Sequence, residues 1–172
     1  NEVGRLCKAL DVDSHEVMNV FVKDTKLNLS PYYLKPGFAF GGSCLPKEVR
    51  AVGHLGDTMG VDLPLVHSLM ATNDAHIEQA VRLLAPFKGR RIGFLGVTFK
   101  AGTDDLRESP TLELMARLRT AGETIAAYDP NLRFGPSLKG QIDYVRHACP
   151  SQARLMDELE TIAVADIGTL MA

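Results

Sequence analysis

A cysteine lies between a pair of glycines and a proline in residues 41–47, which read GGSCLPK. Proline suits the first position of a helix, where its missing N–H costs nothing, so this pattern predicts a helix that begins just after Cys44. Free amide groups and the dipole at a helix N-terminus favour an anion, and so does a nearby cation such as Lys47. Cys44 therefore has the setting of a thiolate nucleophile, but a small buried cysteine in a glycine-rich turn is an equally good interpretation of these residues alone.

Three separated segments resemble one known family. Residues 37–47 (GFAFGGSCLPK) resemble the catalytic-cysteine motif of the UDP-glucose/GDP-mannose dehydrogenase family. Residues 28–36 (NLSPYYLKP) and 99–110 (FKAGTDDLRESP) resemble the GDP-mannose 6-dehydrogenase branch of that family. The resemblance covers most of residues 1–130 and weakens beyond them.

The resemblance implies an NAD-dependent oxidoreductase that oxidises the primary alcohol of GDP-mannose to the carboxylate of GDP-mannuronate, with two molecules of NAD+ taking up the four electrons. In that chemistry Cys44 captures the intermediate aldehyde as a thiohemiacetal, which is oxidised to a thioester and then hydrolysed. Glu48 follows Cys44 by one helical turn, where we expect the family to carry Asp, and is predicted to assist the water or the proton transfers. The resemblance also implies a role in exopolysaccharide biosynthesis and a cytoplasmic location.

The resemblance further implies which residues bind the ligands. The predicted substrate-binding residues are Asn1, Tyr32, Tyr33, Lys35, Phe38, Gly41 and Lys100, and the predicted cofactor-binding residues are Lys47 and Arg107. Lys35 departs from the arginine that we expect there, and a lysine keeps the charge but loses the bidentate fork that suits phosphate. Each assignment has a plainer alternative: a solvated chain end for the asparagine, local packing of the tyrosine pair, and a solvated charged loop for Lys100 and Arg107.

Composition and charge narrow the class of protein. The 172 residues carry a net charge of -2 and are 45% hydrophobic, so the chain can bury a core and has no basic footprint for nucleic acid. No apolar run is long enough for a transmembrane helix, which predicts no membrane partner. Three distant cysteines without a C-x-x-C pair favour a reducing compartment, and the histidines show no metal-ligand spacing. The sequence has no initiator Met and starts within a helical pattern, so we interpret it as a fragment of a longer protein.

The fold class that the patterns predict is α followed by α/β. Helical patterns fill residues 1–87, which we interpret as a helical central or dimerisation domain. This domain carries the loop that leads to Cys44, residues 40–44, which we call the cysteine loop. The last of these helices has a long stripe at helical spacing, formed by Leu65, Leu69, Asn73, Ile77, Val81 and Leu84. Such a stripe suits a homodimer or higher homo-oligomer, and core packing within one chain is the alternative.

Residues 88–172 have the pattern of a partial doubly wound, Rossmann-like domain. A predicted buried strand at 91–96, a helix capped by Ser109 and a strand at 124–128 form a β-α-β unit. No G-x-G-x-x-G is present, so we interpret the unit as a nucleotide-sugar-binding domain rather than as the NAD site.

Beyond residue 130 the pattern is weak. Residues 131–160 are poorly patterned, with a short helix predicted at 157–164 and a strand at 167–171. A doubly wound domain has more strands than these, so we interpret the C-terminus as cut as well.

Three functions follow as alternatives. The preferred one is a fragment of a GDP-mannose 6-dehydrogenase-like enzyme, which we expect to be inactive alone because it has no dinucleotide fingerprint. A UDP-hexose 6-dehydrogenase is the second, since it differs only in the nucleotide sugar. A dimerising, nucleotide-sugar-binding module without turnover of its own is the alternative from another class.

Overall fold

The computed structural model describes residues 1–26, 30, 34–132, 136–149, 152, 155 and 156. These residues form two compact units, the first ending at Ala39 and the second beginning at Phe40. The division into compact units does not test the domain boundary expected between residues 87 and 88, which stays a prediction.

The first unit contains helices α1 (Glu2–Ala9) and α2 (Ser14–Phe21). Asp13 begins α2, because its carboxylate accepts a hydrogen bond of 2.7 Å from the backbone N–H of His15. Cys7 on α1 is only 6% exposed, so its side chain is buried. The sequence predicts both helices where they occur.

Two long helices open the second unit: α3 spans Leu45–Met59 and α4 spans Pro64–Leu84. A proline lies in the first turn of each, where a missing N–H leaves no hydrogen bond unmade. Gly60 ends α3 with a φ of 68°, a left-handed conformation that glycine adopts without strain. The two predicted helices are confirmed, and a single 3₁₀ turn at Ala85–Phe87 follows the second.

A pair of parallel strands follows the helices. Strand β1 (Arg91–Leu95) pairs with β2 (Thr124–Tyr128), and helix α5 (Pro110–Thr120) connects them. Leu112 and Met115 on α5 are fully buried, so this helix supplies much of the core of the second unit. The predicted β-α-β unit is confirmed, and the described chain is helical with a small parallel sheet, as in a partial α/β fold.

Strand β1 is less buried than the sequence predicts. Its residues alternate between exposed and half-buried, and Leu95 is 78% exposed. Strand β2, in contrast, buries Ile125, Ala126 and Ala127. The prediction of a buried strand is wrong for β1, because a short apolar run does not reveal whether both faces of the strand are covered.

A sixth helix, α6 (Pro136–Ala148), occupies part of the segment that the sequence describes as poorly patterned. Leu138, Ile142 and Val145 bury one face of it at the spacing i, i+4, i+7, so the prediction for these residues is wrong. The helix at 157–164 and the strand at 167–171 lie outside the described residues. In the part of the chain that is described, no helix is both long and apolar enough to cross a membrane.

The turn after β2 is organised by the buried carboxylate of Asp129. One carboxylate oxygen accepts hydrogen bonds from the N–H groups of Val97 at 2.8 Å and Thr98 at 3.1 Å, and the other accepts one from the N–H of Asn131 at 2.9 Å. Burial by itself would raise the pKa of this carboxyl, but the donated hydrogen bonds outweigh burial and lower the pKa below its ordinary value. Asp129 therefore ties the segment after β1 to the end of β2.

We predict that Asp129→Asn lowers the free energy of unfolding by about 1–2 kcal/mol at neutral pH, because a neutral amide is a weaker acceptor than a carboxylate. The native carboxylate stabilises the fold above the ordinary pKa of 3.8, and this contribution is lost as the pH falls through the lower folded-state pKa. The difference between variant and wild type in urea unfolding should therefore shrink as the pH drops below 3.8.

Asp143→Asn is the control for this prediction. Its carboxylate is half exposed and pairs with Arg146 on the same helix, so its removal should change stability little at any pH. An Asp129→Asn difference that stayed constant from neutral pH into acid would contradict the role given to the buried carboxylate.

Candidate active site

Cys44 lies at the start of α3 with its side chain exposed. Its Sγ lies 3.8 Å from Ser43 Oγ, and its carbonyl oxygen accepts the N–H of Glu48 at 2.9 Å as the first turn of the helix forms. The exposure excludes the alternative of a small cysteine buried in a glycine-rich turn. The thiol is open to a ligand at the end of a helix whose first amide groups favour negative charge.

The loop before Cys44 lies directly against the corner that precedes α5. Gly42 donates its N–H to the carbonyl oxygen of Glu108 at 3.2 Å. A Cβ on Gly41 would clash with the same carbonyl oxygen and lie 2.6 Å from Cδ of Pro110. A Cβ on Gly42, whose φ is +88°, would lie 2.7 Å from the ring of Phe99. The two glycines are required because the loop has no room for a side chain here.

Arg107 lies in the same segment as this corner and pairs with a carboxylate of that segment. Its guanidinium donates two hydrogen bonds to the carboxylate of Asp105, from Nε at 2.9 Å and from a terminal nitrogen at 2.8 Å. These hydrogen bonds are the main reason that the pKa of Asp105 is lowered and the pKa of Arg107 is raised. The sulfur of Cys44 contributes the smallest part of the rise in the Arg107 pKa, which places the two groups within electrostatic range of one another.

Lys47 and Glu48 lie in the first turn of α3, beside Cys44. The Nζ of Lys47 is 3.2 Å from a carboxylate oxygen of Glu48, and both side chains are more than half exposed. An ion pair this exposed contributes at most about 1 kcal/mol, so a bound anion can draw the lysine away at small cost. The pair gives the site an exposed cation and an exposed carboxylate one helical turn from the thiol.

Lys100 lines a groove at the carboxyl ends of the two strands, where parallel α/β sheets bind their ligands. The groove has a volume of about 530 Å³. Its lining includes Gly96, Thr98, Phe99, Lys100, Tyr128 and Asn131. Phe99 lines this groove, and its ring also packs against Gly42. The groove therefore adjoins the cysteine loop.

Arg107 lines a second cavity, of about 410 Å³, together with residues of α6. Tyr144 of that helix is 45% exposed and lines the cavity. Sequence reasoning missed this residue because it missed α6, although the apolar spacing of the helix was the available signal. The other lining residues are Asp104, Asp105, Gly140 and Gln141.

The remaining predicted residues lie in the first unit. Asn1 accepts the N–H of Gly37 at 3.1 Å and donates to the carbonyl oxygen of Phe38 at 3.4 Å, so it ties the start of α1 to the segment before the cysteine loop. Phe38 and Lys35 are exposed. Tyr32 and Tyr33 lie outside the described residues. The roles assigned to all of these residues stay predictions.

Asn73 is a site residue that sequence reasoning did not single out. It lies in the middle of α4, is only 8% exposed, and makes both of its hydrogen bonds to the backbone of Phe40. The signal was present, because an amide side chain interrupts an otherwise apolar stripe.

Sequence comparison places this arrangement in a family. Residues 1–75 match the profile of the central domain of the UDP-glucose/GDP-mannose dehydrogenase family, and residues 93–167 match that of its UDP binding domain. The chain belongs to the UDP-glucose/GDP-mannose dehydrogenase family. The resemblance inferred from the three segments is thereby confirmed.

Individual members of the dehydrogenase family are similar over most of the chain. The GDP-mannose 6-dehydrogenase of Pseudomonas syringae pv. tomato is 43% identical over 157 residues, which are 91% of this chain and 36% of that protein. The crystal structure of a ternary complex of GDP-mannose dehydrogenase from Pseudomonas aeruginosa has a TM-score of 0.68 and 41% identity, over 98% of this chain and 37% of that one. A UDP-glucose dehydrogenase from Pyrobaculum islandicum has a TM-score of 0.73 and 31% identity, over 84% of this chain and 33% of that one. The chain thus spans about a third of the length of the dehydrogenases it matches.

We predict that Gly41→Ala moves the cysteine loop of this dehydrogenase family member and destabilises it by about 2 kcal/mol or more, because the new methyl group meets backbone rather than a flexible side chain. Thermal unfolding measures the loss of stability, and the rate at which iodoacetamide alkylates Cys44 reports the displacement of the thiol.

Gly140→Ala is the matched control, since a Cβ there has nothing within 4 Å. Alanine inside helix α6 should leave the alkylation rate unchanged and raise stability by up to about 1 kcal/mol. If Gly41→Ala had wild-type stability and a wild-type alkylation rate, the close approach of the loop to Glu108 would be contradicted.

Proposed function

We propose that this chain carries the catalytic cysteine and part of the nucleotide-sugar site of an NAD-dependent GDP-mannose 6-dehydrogenase. The observation that carries the proposal is the exposed thiol of Cys44 at the first turn of α3, with Lys47 and Glu48 exposed in the same turn. A thiol in such a setting is suited to nucleophilic attack on a carbonyl carbon. The higher identity to GDP-mannose than to UDP-glucose dehydrogenases supports the choice of nucleotide.

The proposed reaction passes through two covalent states of Cys44. The first oxidation converts the primary alcohol of the sugar to an aldehyde. Sγ of Cys44 then attacks the aldehyde carbon, and the new S–C bond gives a thiohemiacetal. Loss of hydride from that carbon and of the hydroxyl proton gives a thioester. Attack by water breaks the S–C bond, releases the carboxylate and restores the thiol, so no free aldehyde leaves the site.

Two other side chains of α3 support these steps in the proposal. Lys47 balances the negative charge that develops on the sulfur and on the substrate oxygen, since it is an exposed cation in the same helical turn. Glu48 accepts a proton from the attacking water, because its carboxylate is exposed one turn from Cys44.

The nicotinamide cofactor, when bound, supplies the hydride acceptor. Within this chain it has few partners, because the 172 residues contain no G-x-G-x-x-G. Lys47 fits it as an exposed cation and Arg107 as a half-buried one. Each can meet an anionic or hydroxyl group of the cofactor, and each is paired with a carboxylate of its own segment. We propose that these two residues contact one edge of the dinucleotide and that its main binding fold is not formed by these residues.

The nucleotide sugar is proposed to occupy the groove at the strand ends. Lys100 gives this groove an exposed cation for a diphosphate, and the ring of Phe99 joins it to the cysteine loop. Asn1, Lys35, Phe38 and the two tyrosines are proposed as further substrate contacts on the basis of the family resemblance.

A homodimer or higher homo-oligomer is proposed for the whole protein. Large apolar side chains are exposed along α3 and into the start of α4. They include Val52, Leu55, Met59 and Leu65, of which the last is 75% exposed. Such residues are typical of a surface that another chain covers.

We predict that Cys44→Ala, in the full-length protein that contains this chain, lowers carboxylate formation from GDP-mannose on the order of 1,000-fold or more, because the variant has no thiol at this position to hold the aldehyde. The assay follows NADH by absorbance and the uronate by chromatography. The matched control is Cys149→Ala, since burial raises the pKa of that thiol and keeps it protonated. Carboxylate formation that persisted in Cys44→Ala would contradict the covalent route.

A UDP-hexose 6-dehydrogenase is the second candidate, favoured by the match of residues 93–167 to a UDP binding domain and by the lysine at position 35. We predict that GDP-mannose displaces a fluorescent GDP analogue from the full-length protein at concentrations at least about tenfold below those that UDP-glucose requires. Calorimetric titration with each nucleotide sugar provides the check. Tighter binding of UDP-glucose would transfer the proposal to the second candidate.

The isolated chain distinguishes the third candidate, a binding module without turnover. We expect it to bind the nucleotide sugar without producing NADH, whereas the full-length protein does both. A full-length protein that bound the nucleotide sugar but reduced no NAD+ would favour the binding module over either dehydrogenase.

A further inference from the structure

A single buried amide holds the loop that leads to Cys44. Asn73 lies near the centre of α4 and is 8% exposed, in a stripe whose neighbour Ile77 is 5% exposed. A buried amide stabilises a fold only when its polar atoms are paired, and both polar atoms of Asn73 are paired with the same residue. That residue is Phe40, at the beginning of the cysteine loop.

The two hydrogen bonds have opposite directions and therefore fix an orientation. The N–H of Phe40 donates to Oδ1 of Asn73 at 2.8 Å, and Nδ2 of Asn73 donates to the carbonyl oxygen of Phe40 at 2.9 Å. The amide side chain thus pairs with both the N–H and the C=O of one residue, as the backbone of a neighbouring antiparallel strand does. Phe40 can neither rotate nor slide along α4 without breaking one of the two bonds.

The loop is fixed again just before the cysteine. Gly42 donates its N–H to Glu108, and Glu108 forms an ion pair with Arg50 of α3. Between the anchor at Phe40 and the exposed thiol of Cys44 there are only three residues. With so little slack, a displacement at Phe40 also shifts Gly42 and its hydrogen bond to Glu108, and through Gly42 it moves the sulfur.

We propose that Asn73 is a positioning residue of the active site: its amide holds Phe40 so that the sulfur of Cys44 captures the aldehyde before it can escape. This inference rests on the proposed function. Asn73 acts through the backbone, and the proposal gives it no contact with the substrate. The orientation of the loop determines what fraction of the aldehyde Cys44 captures and what fraction is released. A loss of stability alone does not change that fraction.

The test uses the full-length protein with Asn73→Leu, which keeps the size of the side chain and removes both hydrogen bonds. We expect turnover with GDP-mannose to fall on the order of 100-fold, because displacements near 1 Å cost that much in aligned reactions. We expect KM to change by less than roughly threefold, because substrate binding is not the step affected. The NADH formed per uronate should rise above the value of two that complete oxidation requires, and semicarbazide should trap the released aldehyde.

Two further variants make the result specific. Asn73→Asp keeps the acceptor for the Phe40 N–H but loses the donor to its carbonyl oxygen, so its NADH-to-uronate ratio should lie between those of wild type and Asn73→Leu. Gln79→Leu removes an amide from the same helix that pairs with Arg82 and not with the loop, and it should keep the wild-type ratio.

The alkylation rate of Cys44 by iodoacetamide separates this inference from the proposed function. The alkylation rate in Asn73→Leu should differ severalfold from the wild-type rate. This should hold even if the wild-type protein does not oxidise GDP-mannose, a result that would overturn only the proposed function. A folded Asn73→Leu protein with a ratio of two and an unchanged alkylation rate overturns the positioning role. If Asn73→Leu does not fold, a wild-type ratio and alkylation rate in Asn73→Asp overturn it equally.

Discussion

The backbone of the cysteine loop lies against the corner before α5 with no space for a side chain between them. Gly41 and Gly42 make this approach possible, and the N–H of Gly42 bonds to the carbonyl oxygen of Glu108. Glu108 itself has a φ of 49°, a left-handed conformation that costs a non-glycine residue about 1–2 kcal/mol. The cost is offset by what the corner contacts: the loop on one side and the ion pair with Arg50 of α3 on the other. The start of α3, and with it Cys44, is thereby fixed to the segment that carries Lys100 and Arg107.

Charge around the thiol is arranged in one exposed and one partly buried ion pair. Lys47 pairs with Glu48 on α3, and Arg107 pairs with Asp105 in the loop before α5. The Lys47–Glu48 pair is exposed and contributes little to stability, so Lys47 is available to an anionic ligand at low cost. The Arg107–Asp105 pair is partly buried and bidentate, so it holds Arg107 more firmly. Asp129 differs from these carboxylates because it is buried and bonded to backbone N–H groups, which makes it part of the scaffold of the strand ends.

Local chemistry explains why much of the fold could be predicted from the sequence. Pro46, Pro64 and Ser109 mark helix starts, and Gly60 marks a helix end, because each acts on its own backbone within one turn. The place of Cys44 at a helix start follows from the same local rule. The proposed covalent role and ligand contacts rest on the family resemblance and not on these patterns.

Contacts between distant segments were out of reach of the same reasoning. The pairing of Asn73 with Phe40 joins residues that are 33 positions apart, and no local rule selects that partner. The apolar run of β1 predicts a buried strand, but such a run does not indicate which faces of the strand are covered, and β1 is largely exposed. Helix α6, with Tyr144, carried a readable apolar spacing that was overlooked among its many polar residues.

The central claim is that Cys44 carries the sugar covalently during the oxidation. The direct measurement is rapid acid quenching of the full-length protein during a single turnover with GDP-mannose and NAD+, followed by digestion and mass spectrometry of the peptide that contains Cys44. The account predicts a transient, hydroxylamine-sensitive adduct on Cys44, with the mass of the nucleotide-uronosyl group, that decays as free uronate forms. Uronate that accumulated with no adduct on Cys44 at any quench time, or with the adduct on Cys149 instead, would contradict it.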